Sequence, residues 1–304
     1  MSDARTDLTH LIARELAQPV GPAVQAMAEA VRNRHADAAL AVLFYGSCLR
    51  RPEGLLADSL LDFYLLVDDY GRAYRHRLAA LANRMLPPNV FYLEMQYAGS
   101  VMRCKYAVIS LAQFHAGMFR DTDNVSLWAR FSQQSRLVWS RDAAAAGQVA
   151  TACAEAALTM LGNVLPLVEP GASAEAVWQR AFEETYRAEL RSEGPARAAE
   201  LVSADAERYR SVASLGRTIL QTRALPSAAV SAVAWRRRRR VSKLLNIARL
   251  AKATFTFEGA LDYVLWKVKR HSGVVLPVTD WQRRHPLLSA PILAWRLYRR
   301  GAFR

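Results

Sequence analysis

Apolar positions near the start of the chain recur at helical spacing. Leu8, Leu11, Ile12 and Leu16 share one face ahead of Pro19 and Pro22, and Val24, Met27, Ala28 and Val31 share another. Two short helices are therefore predicted within residues 1–33. The pattern then becomes continuous. Ala38 to Tyr45 is an apolar run of strand length, ended by Gly46-Ser47, and Leu60 to Val67 is a second, broken by Asp62 and closed by Asp68-Asp69-Tyr70-Gly71. A helix is expected around Ala73–Met85, stopped by Pro87-Pro88-Asn89. Two more strand-like runs, Val90–Tyr97 and Val101–Ser110, flank Ala98-Gly99-Ser100, which reads as a hairpin. Helical spacing dominates from there to about residue 225, with breaks at Pro166, Pro170-Gly171 and Gly194-Pro195. The expected architecture is α/β (α+β), an α/β unit over 1–140 followed by a helical unit over 141–230.

Residues 231–304 follow a different pattern. Arg236, Arg237, Arg238, Arg239 and Arg240 form an unbroken run leading into Val241–Lys252, where Val241, Leu244, Leu245 and Ala248 make a stripe. Glu258–Arg270 carries Leu261, Val264, Leu265 and Val268 at helical spacing and ends at Gly273, and Pro286–Trp295 is apolar but too short to span a bilayer. Charge sharpens the division. The chain carries a formal net charge of +14, and residues 231–304 alone hold 17 Lys and Arg against three Asp and Glu, so the rest is balanced. A neutral body with a cationic end predicts an anionic partner, nucleic acid or a lipid surface. Four of the seven tryptophans (Trp235, Trp266, Trp281, Trp295) fall in this quarter, and tryptophan favours membrane interfaces. This tilts the reading to a basic, amphipathic membrane-contacting region.

Composition excludes more than it assigns. With 52% hydrophobic and 22% charged residues, the chain has material for a packed core and is neither disordered nor fibrous. No run of about 18 uncharged apolar residues occurs, so no membrane-spanning helix is expected. Arg14 and Glu15 break the N-terminal apolar positions, so no signal peptide is expected either. Cys48, Cys104 and Cys153 lack metal-ligand spacing and read as reduced thiols.

The candidate chemistry lies where a strand ends in Gly46-Ser47 and the next strand carries Asp62. A carboxylate inside an apolar strand is costly unless it is ionised and paired. Gly46 lets the backbone turn sharply beside a phosphate, and Ser47 and its neighbouring N–H groups can cradle anionic oxygens. Alternation puts Asp62, Tyr64, Leu66 and Asp68 on one face, and Tyr92, Glu94 and Gln96 on one face of a later strand. Glu94 is thus the natural second carboxylate for a Mg²⁺ that would clamp a triphosphate. The competing readings are an ordinary turn, a capping aspartate and a half-exposed strand around Glu94. Asp68 and Asp69 read as a solvated strand end, and His76 and His115 as surface or packed histidines.

Phe44-Tyr45-Gly46-Ser47, followed by Leu61-Asp62-Phe63-Tyr64-Leu65-Leu66-Val67-Asp68-Asp69, resembles the DNA polymerase beta-type nucleotidyltransferases. More narrowly, it is similar to the mitochondrial-type phosphatidate cytidylyltransferases, the translocator-maintenance family, which have a Tyr-Gly-Ser motif and a Leu-Asp-Phe strand. Cys104-Lys105-Tyr106-Ala107-Val108-Ile109-Ser110 looks like that family's Lys-Tyr-Gly-Val strand, and Trp128-Ala129-Arg130-Phe131-Ser132-Gln133-Gln134 like its Ala-Gly-Arg segment. The resemblance spans about residues 38–140. Departures are Cys48 where the family has glycine, Arg50-Arg51 in place of Phe-Pro-Gln, and Tyr64 where many polymerase-beta-type enzymes carry a second aspartate. They leave the second metal ligand and the acceptor open.

The resemblance implies transfer of CMP from CTP to phosphatidate, giving CDP-diacylglycerol and pyrophosphate, by a peripheral enzyme on the cytoplasmic face of the inner membrane. It would place Gly46, Ser47 and Lys105 on the triphosphate and Asp62 on Mg²⁺ with Glu94 as its candidate partner. Lys105 and Arg130 would neutralise phosphate charge, and Arg50 and Arg51 would meet the triphosphate or the lipid headgroup. Arg236–Arg240, Trp266 and Trp295 would contact the anionic membrane. Two alternatives stand beside it: a nucleotidyltransferase acting on RNA or another acceptor, and a catalytically inactive membrane adaptor. The cationic end lacks an interleaved aromatic stacking platform, which disfavours nucleic acid.

Overall fold

The two continuous apolar runs become the centre of the sheet. Strands β1 (Ala39–Tyr45) and β2 (Leu60–Val67) pair antiparallel, with Tyr45 opposite Asp62. Both are buried on their two faces, which is why their sequences show little polar alternation. The structure is a computed structural model and describes residues 2–56, 59–189, 195–256, 261, 264–266, 268, 272, 274–284 and 286–299. Helices α1 (Ser2–Leu16) and α2 (Pro22–Asn33) precede β1 as their spacing predicts. Leu8, Ile12 and Leu16 of α1 pack with Tyr45, Tyr64 and Leu66. Val24, Met27 and Val31 of α2 pack with Phe63, Leu65 and Tyr106. The sheet is thus covered on both faces.

After β2, the short α3 (Tyr70–Ala73) is capped by Asp69, whose carboxylate accepts from Gly71 N–H, and α4 (Arg77–Met85) follows. The expected single helix is divided because Tyr74 is extended. Strands β3 (Asn89–Tyr97) and β4 (Ser100–Ser110) form the predicted hairpin, with positive φ at Ala98 and Gly99, the backbone that a two-residue turn requires. β4 then runs parallel to β2, and Asp62 faces Lys105 across that pair. Beyond it come α5 (Leu111–Ala116) and α6 (Trp128–Phe131).

One element was not expected. Residues read as part of a helical stretch instead form β5 (Ser135–Ser140), antiparallel to β1, completing a mixed sheet of order β3-β4-β2-β1-β5. It is an edge strand whose residues are mostly half-buried, so its six-residue sequence carries little apolar signal.

The helical unit is built on α7 (Ala143–Val164), capped by the Asp142 carboxylate on Ala145 N–H. By length and composition this helix could cross a membrane, but most of it is buried inside the protein. Around it lie α8 (Ala174–Ala188), α9 (Pro195–Ala204), α10 (Ala206–Leu220) and the long α11 (Ala228–Thr256), which contains the arginine run. One apolar cluster runs from α1 and the sheet through α7, α8 and α10 to Trp235 on α11, across residues 140 and 230 alike. Trp235 is 1% exposed, and its Nε1–H donates to Asn163 O at 2.9 Å.

Further on, Asp280–Arg284 and Pro286–Arg299 are helical. Leu276 and Leu293 form a separate small cluster with Leu261, Leu265, Val268, Val274 and Val278. Glu258, Arg270 and Gly273, which bound the expected amphipathic piece, lie outside the described residues.

Candidate active site

Sheet register assembles the site. Tyr45 pairs with Asp62 and Asp62 with Lys105, so the end of β1, the start of β2 and the middle of β4 meet. Gly46, directly after β1, has φ 92° and begins the tight turn Ser47–Arg50. A β-carbon there would sit 3.3 Å from Asp62 Oδ2, so both backbone angle and space select glycine.

Lys105 Nζ lies 3.2 Å from Asp62 Oδ1. That oxygen is shielded from solvent and has no hydrogen-bond partner among the described residues. The ion pair with Lys105 offsets part of the cost of shielding this carboxylate, and the oxygen keeps capacity to accept a further donor or a metal cation. Arg130, from α6, reaches in from one side and donates to Tyr64 Oη at 3.0 Å, its guanidinium 5.0 Å from the centre of the Tyr45 ring. Burial opposes the Arg130 charge, but Tyr45, Tyr64, Glu189 and Asp62 outweigh it and its pKa is raised. It is a permanent cation.

These groups line a cavity of about 260 Å³ that also includes Ser47 and Arg50. Its other wall comes from the helical unit: Thr185 and Tyr186 near the end of α8, Glu189 just after it, and Arg197 and Leu201 on α9. The sequence reading missed this wall. Glu189 and Arg197 stand in ordinary charged helical stretches, and nothing local distinguishes them; only tertiary packing brings them to Asp62.

The other expected residues are placed less simply. Arg50 lines the cavity, yet its guanidinium is paired with Asp205 at 2.9 Å. Arg51 donates to Ser59 Oγ and does not line the cavity. Glu94 does not line it either: it accepts from Tyr92 Oη–H at 2.6 Å and pairs with Arg103 at 3.0 Å. Burial, and after it the hydrogen bond to the Glu94 carboxylate, push the Tyr92 phenol up. Asp68 is held by Arg72 and Arg141.

For Mg²⁺, no cluster of three or more His, Cys, Asp or Glu forms among the described residues. Asp62 alone still fits the ion, because magnesium is commonly held by one or two carboxylates together with substrate phosphates. The Asp62 carboxylate would supply the protein's share, with Lys105 beside it.

The arginine run divides by helical phase. Arg238 is 6% exposed and donates to Arg120 O, Arg237 pairs with Asp123, and Arg239 pairs with buried Glu184. Arg236 and Arg240 point outward. Trp266 lies 5.8 Å from the Arg103 guanidinium, while Trp295 is exposed with Arg299 over its ring.

No protein-family model matches the chain, and no curated protein matches it.

Proposed function

We propose that the protein is a nucleotidyltransferase that transfers a nucleoside monophosphate, CMP from CTP, to a phosphate-bearing lipid acceptor, phosphatidate. The observation that carries the transferase reading is the solvent-shielded Asp62 Oδ1, ion-paired with Lys105 Nζ at 3.2 Å against the Gly46-Ser47 turn. An anion-cradling turn, a metal-competent carboxylate and two cations in one cavity suit a triphosphate better than any neutral ligand. The choice of CTP and phosphatidate rests on the resemblance of residues 38–140 and on the cationic, tryptophan-bearing end.

In this reading the backbone N–H groups after Gly46 and the Ser47 hydroxyl bind the outer phosphates. The acceptor's phosphate oxygen attacks the α-phosphorus, and the bond to the bridging oxygen of the leaving pyrophosphate breaks. A phosphate monoester is anionic at neutral pH, so no strong general base is required. Lys105 and Arg130 stabilise charge as it moves onto the pyrophosphate. Asp62 would hold Mg²⁺, which supplies further neutralisation of the phosphates. Tyr64 orients Arg130 through its hydroxyl. Arg50 must leave Asp205 to join them.

The test is incubation of the full chain with Mg²⁺, each nucleoside triphosphate in turn and phosphatidate vesicles. Formation of CDP-diacylglycerol with pyrophosphate release, abolished in Asp62→Asn, is the expected result. Turnover unaffected by that substitution would overturn the assignment of Asp62.

A further inference from the structure

The opposite face of the sheet carries a second, larger concavity. Tyr106 and Phe91 are neighbours of Lys105 and Tyr92 along their strands, so they point away from the candidate active site. Together with Tyr74 they floor a groove of about 940 Å³ between α2, α4 and α11. Phe91 and Tyr106 are stacked at 5.2 Å. The rim is basic: Arg34, Arg75 and Lys252 line it, and among the described residues no Asp or Glu does. Asp37, three residues beyond Arg34, is exposed outside the lining, while Asp68 is paired with Arg72 and Arg141 and Asp69 with Arg84. Arg75 and Arg77 have no ion pair among the described residues.

One side of this groove is α4, and its pattern is inverted. Leu78, Leu81 and Met85 stand on one face at helical spacing and are 80%, 52% and 77% exposed, while polar Asn83 is buried and donates to Val108 O. Leu78 lines the groove mouth itself. A ridge of large apolar side chains flanked by Arg75, Arg77 and Arg84, opening onto an aromatic floor, matches a surface that is anionic outside and apolar beneath. A soluble anion would leave the ridge uncovered.

We infer that α4 and the groove behind it dock on an anionic phospholipid bilayer, with the arginines at the headgroups and Leu78, Leu81 and Met85 in the acyl boundary. This surface is separate from residues 231–304 apart from Lys252 and lies across the sheet from Asp62, so it would anchor the protein without itself presenting the lipid acceptor to the candidate active site. The experiment takes the full chain with Leu81→Cys labelled by an environment-sensitive fluorophore. Cys48, Cys104 and Cys153 are buried, so the label goes to position 81. Vesicles of phosphatidylcholine alone are compared with vesicles containing phosphatidylglycerol. Binding with a blue-shifted emission is expected only on the mixed vesicles. Leu78→Ser with Met85→Ser, and Arg75→Gln with Arg77→Gln, should each weaken that binding about fivefold or more, with unchanged melting temperature because all four side chains are exposed. Sedimentation with vesicles but no spectral change would show docking by another surface and overturn the inference. So would failure to bind mixed vesicles, or a shift produced by polyglutamate and not by vesicles, which would assign the face to an acidic protein. Catalytic turnover measured in parallel separates this outcome from the fate of the transferase reading.

Discussion

At Asp62 a carboxylate oxygen sits out of solvent, ion-paired with the Lys105 ammonium group. Asp62→Asn preserves shape and removes the charge, so the fold should survive. Turnover should fall by about 100-fold or more if the group holds the metal and phosphates in place. Steady-state kinetics with a thermal melt checks both halves. Gly46 offers an independent probe of the same spot. Gly46→Ala forces a side chain into a backbone conformation, φ 92° and ψ −167°, that essentially only glycine adopts, at about 1–3 kcal/mol, and pushes on Asp62 Oδ2. Nucleotide affinity should drop with it, measurable by calorimetric titration. An unchanged affinity would mean that the triphosphate binds away from this turn.

Among the elements, α11 shows how a sequence of five arginines becomes a structural part. Arg239 joins Arg180 and Arg187 around Glu184, whose side chain is only 3% exposed. Glu184→Gln should cost about 2 kcal/mol in chemical denaturation, less than a fully buried pair because the arginines reach solvent. Further along, Lys252 is bound by the carbonyl oxygens of Leu86 and Pro88. Burial, reinforced by the Arg249 charge, lowers its pKa from 10.5 to about 8. The unfolded chain therefore binds the proton more tightly. The penalty is fully present below pH 8 and is relieved as pH rises from about 8 towards 10.5. Wild-type stability should accordingly rise across that window relative to Lys252→Met. Parallel denaturant melts of both proteins at several pH values provide the comparison.

For the whole molecule, the continuity of the core decides what can be removed. Trp235 packs edge-on against Trp128 and bonds to Asn163, so a chain ending at residue 230 would open the interior of the helical unit. Such a truncation should lose its cooperative melt. A chain ending at Thr256 keeps α11 and should retain the fold and CTP affinity, while binding anionic vesicles more weakly through loss of Trp295 and the later basic residues. Circular dichroism, nucleotide titration and vesicle sedimentation on the two truncations would separate these outcomes. A cooperative melt in the shorter chain would show that α11 is dispensable to the core.

Local pattern alone determined a good deal of this protein. The continuous runs of β1 and β2, the helical spacing of α1 and α2 and the Ala98-Gly99 hairpin were legible because burial on both faces, amphipathic phase and turn chemistry are each written in neighbouring residues. The Gly46, Ser47 and Asp62 set was legible for the same reason: a polar group inside an apolar run stands out. Tertiary structure decided the rest. β5 gains its place by pairing with β1, and its own residues are too evenly half-buried to announce it. Glu94 shares a face with Tyr92 as alternation requires, yet sheet order puts Arg103 against it and keeps it out of the cavity. Glu189 and Arg197 enter the cavity because the helical unit folds over Asp62, more than a hundred residues away along the chain. The arginine run read as uniform positive charge, but a helix turning through about 100° per residue sends Arg238 inward and Arg236 and Arg240 outward, and only the partner surface determines which face is which.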